Sequence, residues 1–412
     1  MAIPTRTTVA IIGAGPAGLL LGHLLHQSGI DFVILEARSR EYVLERIRAG
    51  VLEQASVDVL TSLGLDDHVE TRGLVHDGIY LQFERERHRV NFHELIGRTV
   101  TVYGQQAVVH DLVEAHERIG SPLVFEATEV QPHAVDGPRP RVTFTHGGQA
   151  HELEADFVVG ADGFHGVSRT VVPAAELAEP VLINPVLTNY ERTYPAAWLG
   201  ILANVAPSTD ELIYALHRDG FAMHSMRSAE VSRLYVQVDP DASIDDWSDR
   251  RIWDTLQERL GIDGWTLEEG EITEKSISPM RSFVASTLNY GRLFLVGDAG
   301  HIVPPTGAKG LNSAMADVAM LGRALADHTA GDSSGLATYS ERALARQWKI
   351  QYFSQWMTDM LHIGDRHTPA DVAAFRYRSQ VGQLRYVTAS RHAMSSLAEQ
   401  YTGLPIDFGG AS

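Results

Sequence analysis

Three groups of residues in this chain have types and spacings that suit chemistry. The first is Gly13-x-Gly15-x-x-Gly18, inside TVAIIGAGPAGLLLGHLL, with Glu36 placed 18 residues beyond the last glycine. In such a turn the first glycine allows a tight reversal, the second lets backbone approach a pyrophosphate, and the third lets helix pack on strand. Ala17 belongs to the same turn. A carboxylate at Glu36 accepts ribose hydroxyls and repels a ribose 2′-phosphate, so the fingerprint suits FAD or NAD and not NADP. The second group is two more carboxylates after apolar runs, Asp162 in FVVGADGFHG and Asp298 in RLFLVGDAGH. The third is Ser225, Arg227 and Tyr235, one guanidinium and two hydroxyls that make a small anion site. By spacing alone, this last group also fits ordinary polar positions on a half-buried sheet.

The elements that must position these groups follow from periodicity. Val9–Ile12 and Phe32–Leu35 are short apolar runs of the buried-strand type, and Leu19, Leu20, Leu24 and Leu25 recur along one helix between them. Leu153–Arg169 and Gly291–His301 each predict a strand ending in a polar turn. Pro304 and Pro305 delay a further helix, which TGAKGLNSAMADVAMLGRALAD then begins, with Leu311, Met315, Val318 and Ala319 on one face and Asn312 in its first turn. The N–H groups there suit the electron-rich edge of an isoalloxazine. A nicotinamide dinucleotide has no use for this second turn. FAD does: its AMP half occupies the first fingerprint and its ribityl chain and ring the second. Glu211–Val238 reads as antiparallel strands with a turn at Arg218–Gly220, and Asp246–Gly261 as a helix lying on them.

Composition sets the outer bounds. With 412 residues the chain predicts two or three domains, and 44% apolar with 21% charged residues is ordinary for a globular protein. A formal charge of −18 without a polybasic segment argues against nucleic acid or an anionic membrane as partner. The absence of cysteine excludes disulfides, thiolate metal sites and cysteine nucleophiles. No metal is required. Val9–Leu25 is interrupted by Gly, Pro and His and reads as strand, turn and helix, not as a leader, and no run approaches the roughly 18 apolar residues of a membrane span. The expectation is a cytoplasmic protein.

The combination of GxGxxG, DG and GD resembles the class A flavoprotein aromatic hydroxylases. RIRAGVLEQ (Arg46–Gln54), GLVHDG (Gly73–Gly78), TVYGQ (Thr101–Gln105), DGFHGVSR, RLFLVGDAGHIVPPTGAKGLN and YTGLP (Tyr401–Pro405) narrow the resemblance to the members that act on 4-hydroxybenzoate. It runs almost end to end, with an apparent insertion near Leu182–Asn189. It implies an α/β fold, α+β overall: a Rossmann-like FAD-binding domain, an inserted, mostly antiparallel substrate sheet, and C-terminal helices. Residues 1–75, 100–180 and 282–340 are assigned to the first, 76–99 and 181–281 to the second, and 341–412 to the third. The implied activity is hydroxylation at the 3-position to 3,4-dihydroxybenzoate with O2 and NADH or NADPH, through a flavin C4a-hydroperoxide that attacks the substrate phenolate. For the flavin the resemblance implies Gly13, Gly15, Ala17, Gly18, Glu36, Arg46, Arg48, Val51, Gln105, Asp162, Asp298, Lys309, Leu311 and Asn312. Lys309 would add positive potential and Pro305 a backbone carbonyl beside the ring. Ser225, Arg227 and Tyr235 become the carboxylate site. Tyr214 takes the phenol proton, Tyr401 extends the relay, and His76 meets solvent.

For the nicotinamide donor the resemblance points to Arg38, Tyr42, Arg48, His165 and Arg281. The position after Glu36, often arginine, is Ala37 here, which weakens a 2′-phosphate site and favours NADH. Trp348, Tyr352, Phe353 and Trp356 read as core aromatics of a C-terminal helix; exposed, they would form a dimer face, and the resemblance favours a homodimer. Two rival readings stand beside this one. One is the same chemistry on 3-hydroxybenzoate or salicylate. The other is a binding protein that kept the FAD fold without redox, like the GDI-like prenyl-protein chaperones.

Overall fold

A computed structural model describes residues 3–46, 50–173, 179–181, 184–187 and 189–406. It has the mixed α/β architecture expected. In the first sheet the central strand Arg6–Ile12 lies between Phe32–Leu35 and Gln149–Gly160, and Leu123–Val124 and Leu293–Leu295 extend the parallel array on either side. These strands are apolar on both faces, as parallel strands covered by helices must be. Helices Pro16–Gln27, Gln105–Ile119 and Gly310–Thr329 supply the cover, and the apolar cluster between them is the larger core. The register fixes the site. Ile12 is level with both Leu35 and Gly160, and Gly160 is level with Leu295. Gly13, Glu36, Asp162 and the Gly297–Asp298 turn therefore leave the sheet along one edge.

The second sheet has eight strands in the order His301–Ile302, Glu271–Ala285, Asn189–Asn204, Ser232–Val238, Ala222–Met226, Leu212–Leu216, Gly78–Phe83 and Glu86–Asn91. All its pairs are antiparallel except Leu212–Leu216 with Gly78–Phe83. Alternation along each strand separates two cores. Ile213, Ala215, Leu234 and Val236 face the helix Asp249–Leu260, slightly shorter than the predicted span, through Ile252, Trp253 and Leu256. Leu212, Tyr214, Met223 and Tyr235 face the other way, toward the C-terminal helices Ser334–Leu361, Ala370–Ala389 and Arg391–Thr402. A third small sheet joins Val51–Glu53, Val100–Val102 and Leu74–His76. Of the apparent insertion, Asn184–Leu187 pairs with Glu179–Val181, Asn189 begins the strand Asn189–Asn204, and Leu182, Ile183 and Thr188 lie outside the described residues.

The four aromatics of Ser334–Leu361 divide. Phe353 is buried and Trp356 partly so, whereas Trp348 and Tyr352 are exposed by 44% and 64%. The core expectation fails for the latter two. Among the described residues no helix is long and apolar enough to cross a membrane.

Candidate active site

At the edge of the first sheet the chain builds two open cradles. A Cβ on Gly13 would lie 2.4 Å from the Ala161 carbonyl oxygen, one on Gly18 would lie 1.9 Å from that of Gly13, and Gly13 has φ +106°. Only glycine fits either place. Gly15 has no neighbour within 4 Å of such an atom, so the space beyond it is open. The helix Pro16–Gln27 begins there without a side-chain cap or an acidic residue in its first turn, leaving its first N–H groups to an anion. The second cradle repeats the design: Gly310 is open, and the helix Gly310–Thr329 also starts uncapped. Ala17 and Leu311 are buried in these first turns. The cradles fit a dinucleotide at one end and an electron-rich ring edge at the other.

The carboxylates are held in place by backbone. Glu36 accepts the Ala14 and Arg38 N–H groups, each at 2.8 Å. Asp162 accepts the Ser168 N–H at 2.9 Å and its hydroxyl at 2.8 Å, while its other oxygen is buried and has no partner among the described residues. Burial pushes the Asp162 carboxyl up, against those two bonds. Asp162 thus organises its own turn as well as facing the cleft edge. Asp298 is exposed on a turn that buried groups pin: Asp317 accepts the Gly297 N–H at 2.9 Å and binds His301 Nε2 at 2.6 Å. Arg169 links the Asp162 and Asp298 turns by donating to the Phe164 and Ala299 carbonyls.

Asn312 spends its side chain internally. Its Oδ1 accepts from the Glu53 N–H and the Ser56 hydroxyl, and its Nδ2 donates to the Val51 and Ala308 carbonyls. That leaves its helix N–H for a ligand. Lys309 is buried, 2.6 Å from Glu53 Oε1 and 2.8 Å from the Tyr401 carbonyl, with Arg346 near the second Glu53 oxygen. Burial lowers the Lys309 pKa while Glu53 opposes the shift, so the expected positive potential is tempered by a carboxylate that sequence reading missed. The Pro305 carbonyl, expected beside a ring, already accepts the Ala308 N–H at 2.9 Å. Gln105 is half-buried at the start of its helix and Arg46 is exposed; Arg48 lies outside the described residues.

The second sheet carries the remaining groups on one face. Tyr214, Met223 and Tyr235 form one cross-strand row. Two strand spacings, roughly 10 Å, separate the tyrosines. The Tyr214 hydroxyl lies 2.7 Å from that of Tyr401, both side chains being buried. Burial drives the Tyr214 pKa well above the usual phenol range, and Tyr401 adds to this. At the other end, Ser225 donates to the Arg233 carbonyl, Arg233 Nε donates to the Tyr235 hydroxyl at 3.2 Å, and Arg227 donates to Gln106 Oε1 at 3.1 Å. Burial, then the neighbouring Arg233, lowers the Arg227 pKa. Two guanidiniums and two hydroxyls converge, a site that an anion would stabilise. Arg233 was not among the predicted residues; its signal is the two-residue step to Tyr235 on one strand face.

His76 departs from expectation. It is buried, not solvent-facing: its Nδ1 lies 3.1 Å from Glu211, which in turn accepts from Arg89 at 2.6 Å. The partly exposed group here is Arg89. The predicted donor residues fall into two clusters. Arg38 lies over the Tyr42 ring, and His165 and Arg281 flank Phe164.

Comparison with known proteins gives this geometry its family. A model of the FAD binding domain matches residues 6–354. The p-hydroxybenzoate hydroxylase of Acinetobacter baylyi is 44% identical over 405 residues, covering 98% of this chain and 96% of the relative. The chain belongs to the class A flavoprotein aromatic hydroxylases. The 3-amino-4-hydroxybenzoate 2-monooxygenase of Streptomyces cremeus is 25% identical, covering 87% of this chain and 88% of its own. Among solved structures, the p-nitrophenol 4-monooxygenase of Pseudomonas putida superposes with a TM-score of 0.78, covering 97% of this chain and 99% of that one. At 18% identity it shows the shared fold alone. As a flavoprotein hydroxylase of this family, the chain uses FAD, with nicotinamide and O2 as co-substrates.

Proposed function

We propose that this hydroxylase converts 4-hydroxybenzoate, O2, a reduced nicotinamide and a proton to 3,4-dihydroxybenzoate, water and the oxidised nicotinamide. Bound FAD supplies two-electron transfer from the nicotinamide and an electrophilic oxygen derived from O2. The protein residues supply orientation and proton movement. The observation that carries the reading is the 2.7 Å Tyr214–Tyr401 hydroxyl pair on one sheet, with Ser225 on the next strand, Arg227 just past that strand's end, and Tyr235 on the strand beyond. An aromatic acid clamped by its carboxylate at the guanidinium end presents a para hydroxyl to Tyr214. Each tyrosine hydroxyl is neutral, since burial raises its pKa, so each can accept one proton and pass on another. A phenolate is more electron-rich than a phenol, and oxygen attack ortho to it, at carbon 3, becomes easier.

The discriminating experiment compares product formed per nicotinamide oxidised for the three hydroxybenzoate isomers. The 4-isomer should be coupled and the 2- and 3-isomers uncoupled or inert. Coupled turnover of the 3-isomer at an equal rate would overturn the reading.

NADH is the preferred donor in this reading. Ala37 supplies no guanidinium, and Arg40 is committed to Glu117 at 2.7 Å. Steady-state kinetics with each donor tests this, and a strict NADPH requirement would reject it. The first sheet, with residues 1–75, 100–180 and 282–340, serves as the FAD domain, and 76–99 with 181–281 as the substrate domain. Trp348 and Tyr352, i and i+4 on one exposed helix stripe, support a homodimer face.

A further inference from the structure

We infer that Glu211, clamped by Arg89, is a positioning residue that makes the buried His76 the proton acceptor at the outer end of the tyrosine relay. The inference rests on the proposed phenol chemistry. Three elements meet here that are remote in sequence. His76 ends the strand Leu74–His76, Glu211 immediately precedes the strand that carries Tyr214, and Arg89 comes from Glu86–Asn91. His76 and Glu211 are 4% exposed, whereas the Arg89 side chain is 41% exposed. Glu211 spends one oxygen on His76 Nδ1 at 3.1 Å and the other on Arg89 at 2.6 Å. His76 Nε2 is buried and has no hydrogen-bond partner among the described residues.

This arrangement has a chemical consequence. A carboxylate at Nδ1 holds the imidazole in the tautomer whose Nε2 carries a lone pair. Arg89 holds the carboxylate in place against that ring through a charge-assisted bond. The charged and titratable groups around the dyad are Arg89, Tyr80 on the neighbouring strand, Asp210 beside Glu211, and Tyr401 from the last helix. Burial raises the Tyr401 pKa, and the Glu211 charge adds to the rise, so the carboxylate and the relay share one field. The proton path then balances. The substrate phenol gives its proton to Tyr214, Tyr214 gives one to Tyr401, and Tyr401 gives one, through water, to His76 Nε2. The imidazolium later releases it to solvent, and both tyrosines end as they began.

The test mixes the FAD-loaded enzyme with 4-hydroxybenzoate in a stopped-flow instrument. Ligand binding is followed by the flavin spectrum and proton release by a pH indicator dye. In Glu211→Gln, binding should change less than about 2-fold while proton release slows about 10-fold or more. Raising the pH should restore the rate, since hydroxide replaces the lost acceptor, and Glu211→Asp should recover part of it. In a His76→Asn background, Glu211→Gln should add no further slowing, whereas a merely structural effect would add in full. If Glu211→Gln does not retain FAD, Arg89→Gln carries the test, with a smaller slowing in the same direction. A normal wild-type proton phase that these variants leave unchanged, or an additive effect in the double variant, overturns the role of Glu211 alone. A wild type that binds 4-hydroxybenzoate without releasing a proton overturns the functional reading, and this inference with it.

Discussion

The two sheets solve the problem of holding a small molecule in different ways. The edge of the first sheet works through backbone: glycines where no Cβ fits, helix starts without caps, and strands whose ends are level. The face of the second sheet works through side chains that meet across long stretches of sequence. Tyr214 and Tyr401 are 187 positions apart, and His76 and Glu211 are 135 apart. A backbone cradle tolerates little substitution at its glycines but is indifferent to most side chains around it. A side-chain network is undone one functional group at a time. Damage to the first should remove the cofactor, and damage to the second should leave the cofactor bound and the chemistry misdirected.

Gly13→Ala should produce the largest effect. A left-handed alanine costs about 1–2 kcal/mol in conformation alone. Its Cβ would also meet backbone at Ala161, which cannot swing aside as a side chain can. The variant should emerge from desalting with less than about one tenth of the wild-type flavin. A stoichiometric yellow variant would show that the cradle is not where the dinucleotide sits. Tyr214→Phe comes next and should show the opposite pattern, with flavin retained and product formation about 100-fold lower or worse. Product per nicotinamide oxidised is the measurement, and undiminished coupling would remove the tyrosine pair from the reaction.

Arg227→Gln should weaken substrate binding without loss of flavin. Losing a charge-assisted contact costs about 1.5–3 kcal/mol, or roughly 10- to 100-fold in KM. Arg233 remains nearby and keeps the effect from being total. An unchanged KM would mean that the acid end of the ligand lies elsewhere.

The contrast between the sheets also explains what the sequence could and could not reveal. The first edge was readable because its signals are local: glycine spacing, an apolar run, then an acid at the next strand end. Fold class and both cradles follow from such short windows. Ser225, Arg227 and Tyr235 showed as an anion-suited group whose spacing also fitted an ordinary sheet, and family resemblance made it a carboxylate site; Tyr214 and Tyr401 entered through resemblance, since spacing alone gives no hint that residues 187 apart touch. Glu53, Glu211 and Arg89 had no local signal, because each acts through a partner on another element, whereas Arg233 had its two-residue step to Tyr235 on one strand. The burial of His76 was missed for the same reason. Trp348 and Tyr352 are a different kind of miss. Ile350, Phe353, Met357 and Leu361 mark the buried stripe of that helix, and a 3.6-residue reading places Trp348 and Tyr352 off it.

Acid should erase part of the contrast, because both regions bury neutral histidines. In the second, burial drives His362 down to about 3 and His224 to about 4; in the first, burial and then His116 drive His23 to about 4. The unfolded chain takes up these protons near pH 6.5. It therefore binds more protons than the folded one below that pH. The stabilisation is complete above about pH 6.5 and is lost progressively as pH falls toward 3–4. His362→Gln keeps an acceptor for the Trp198 indole, which now donates to His362 Nε2 at 2.7 Å. Its melting temperature should depend less steeply on pH between 6.5 and 4. An unaltered slope would assign the acid sensitivity to other groups.

The smallest effect belongs to the surface beside the first cradle. Arg40 and Glu117 pair at 2.7 Å, with 38% and 50% of their side chains exposed. Glu117 is the first cause of the raised Arg40 pKa, and Glu41 and Glu114 add to it. Screened by solvent, the pair contributes at most about 1 kcal/mol to stability, so Glu117→Gln should melt within a degree or two of the wild type. Its consequence should lie in donor choice. Removing the carboxylate releases a guanidinium in the segment that carries Arg38 and Tyr42 and lowers the local negative charge. A 2′-phosphate is then repelled less. The ratio of kcat/KM for NADPH to that for NADH should rise by a few-fold, through KM and not kcat, and the rise should fade at high salt, where exposed charges are screened. A ratio that does not move would separate donor choice from this helix and leave Ala37 as its nearest determinant.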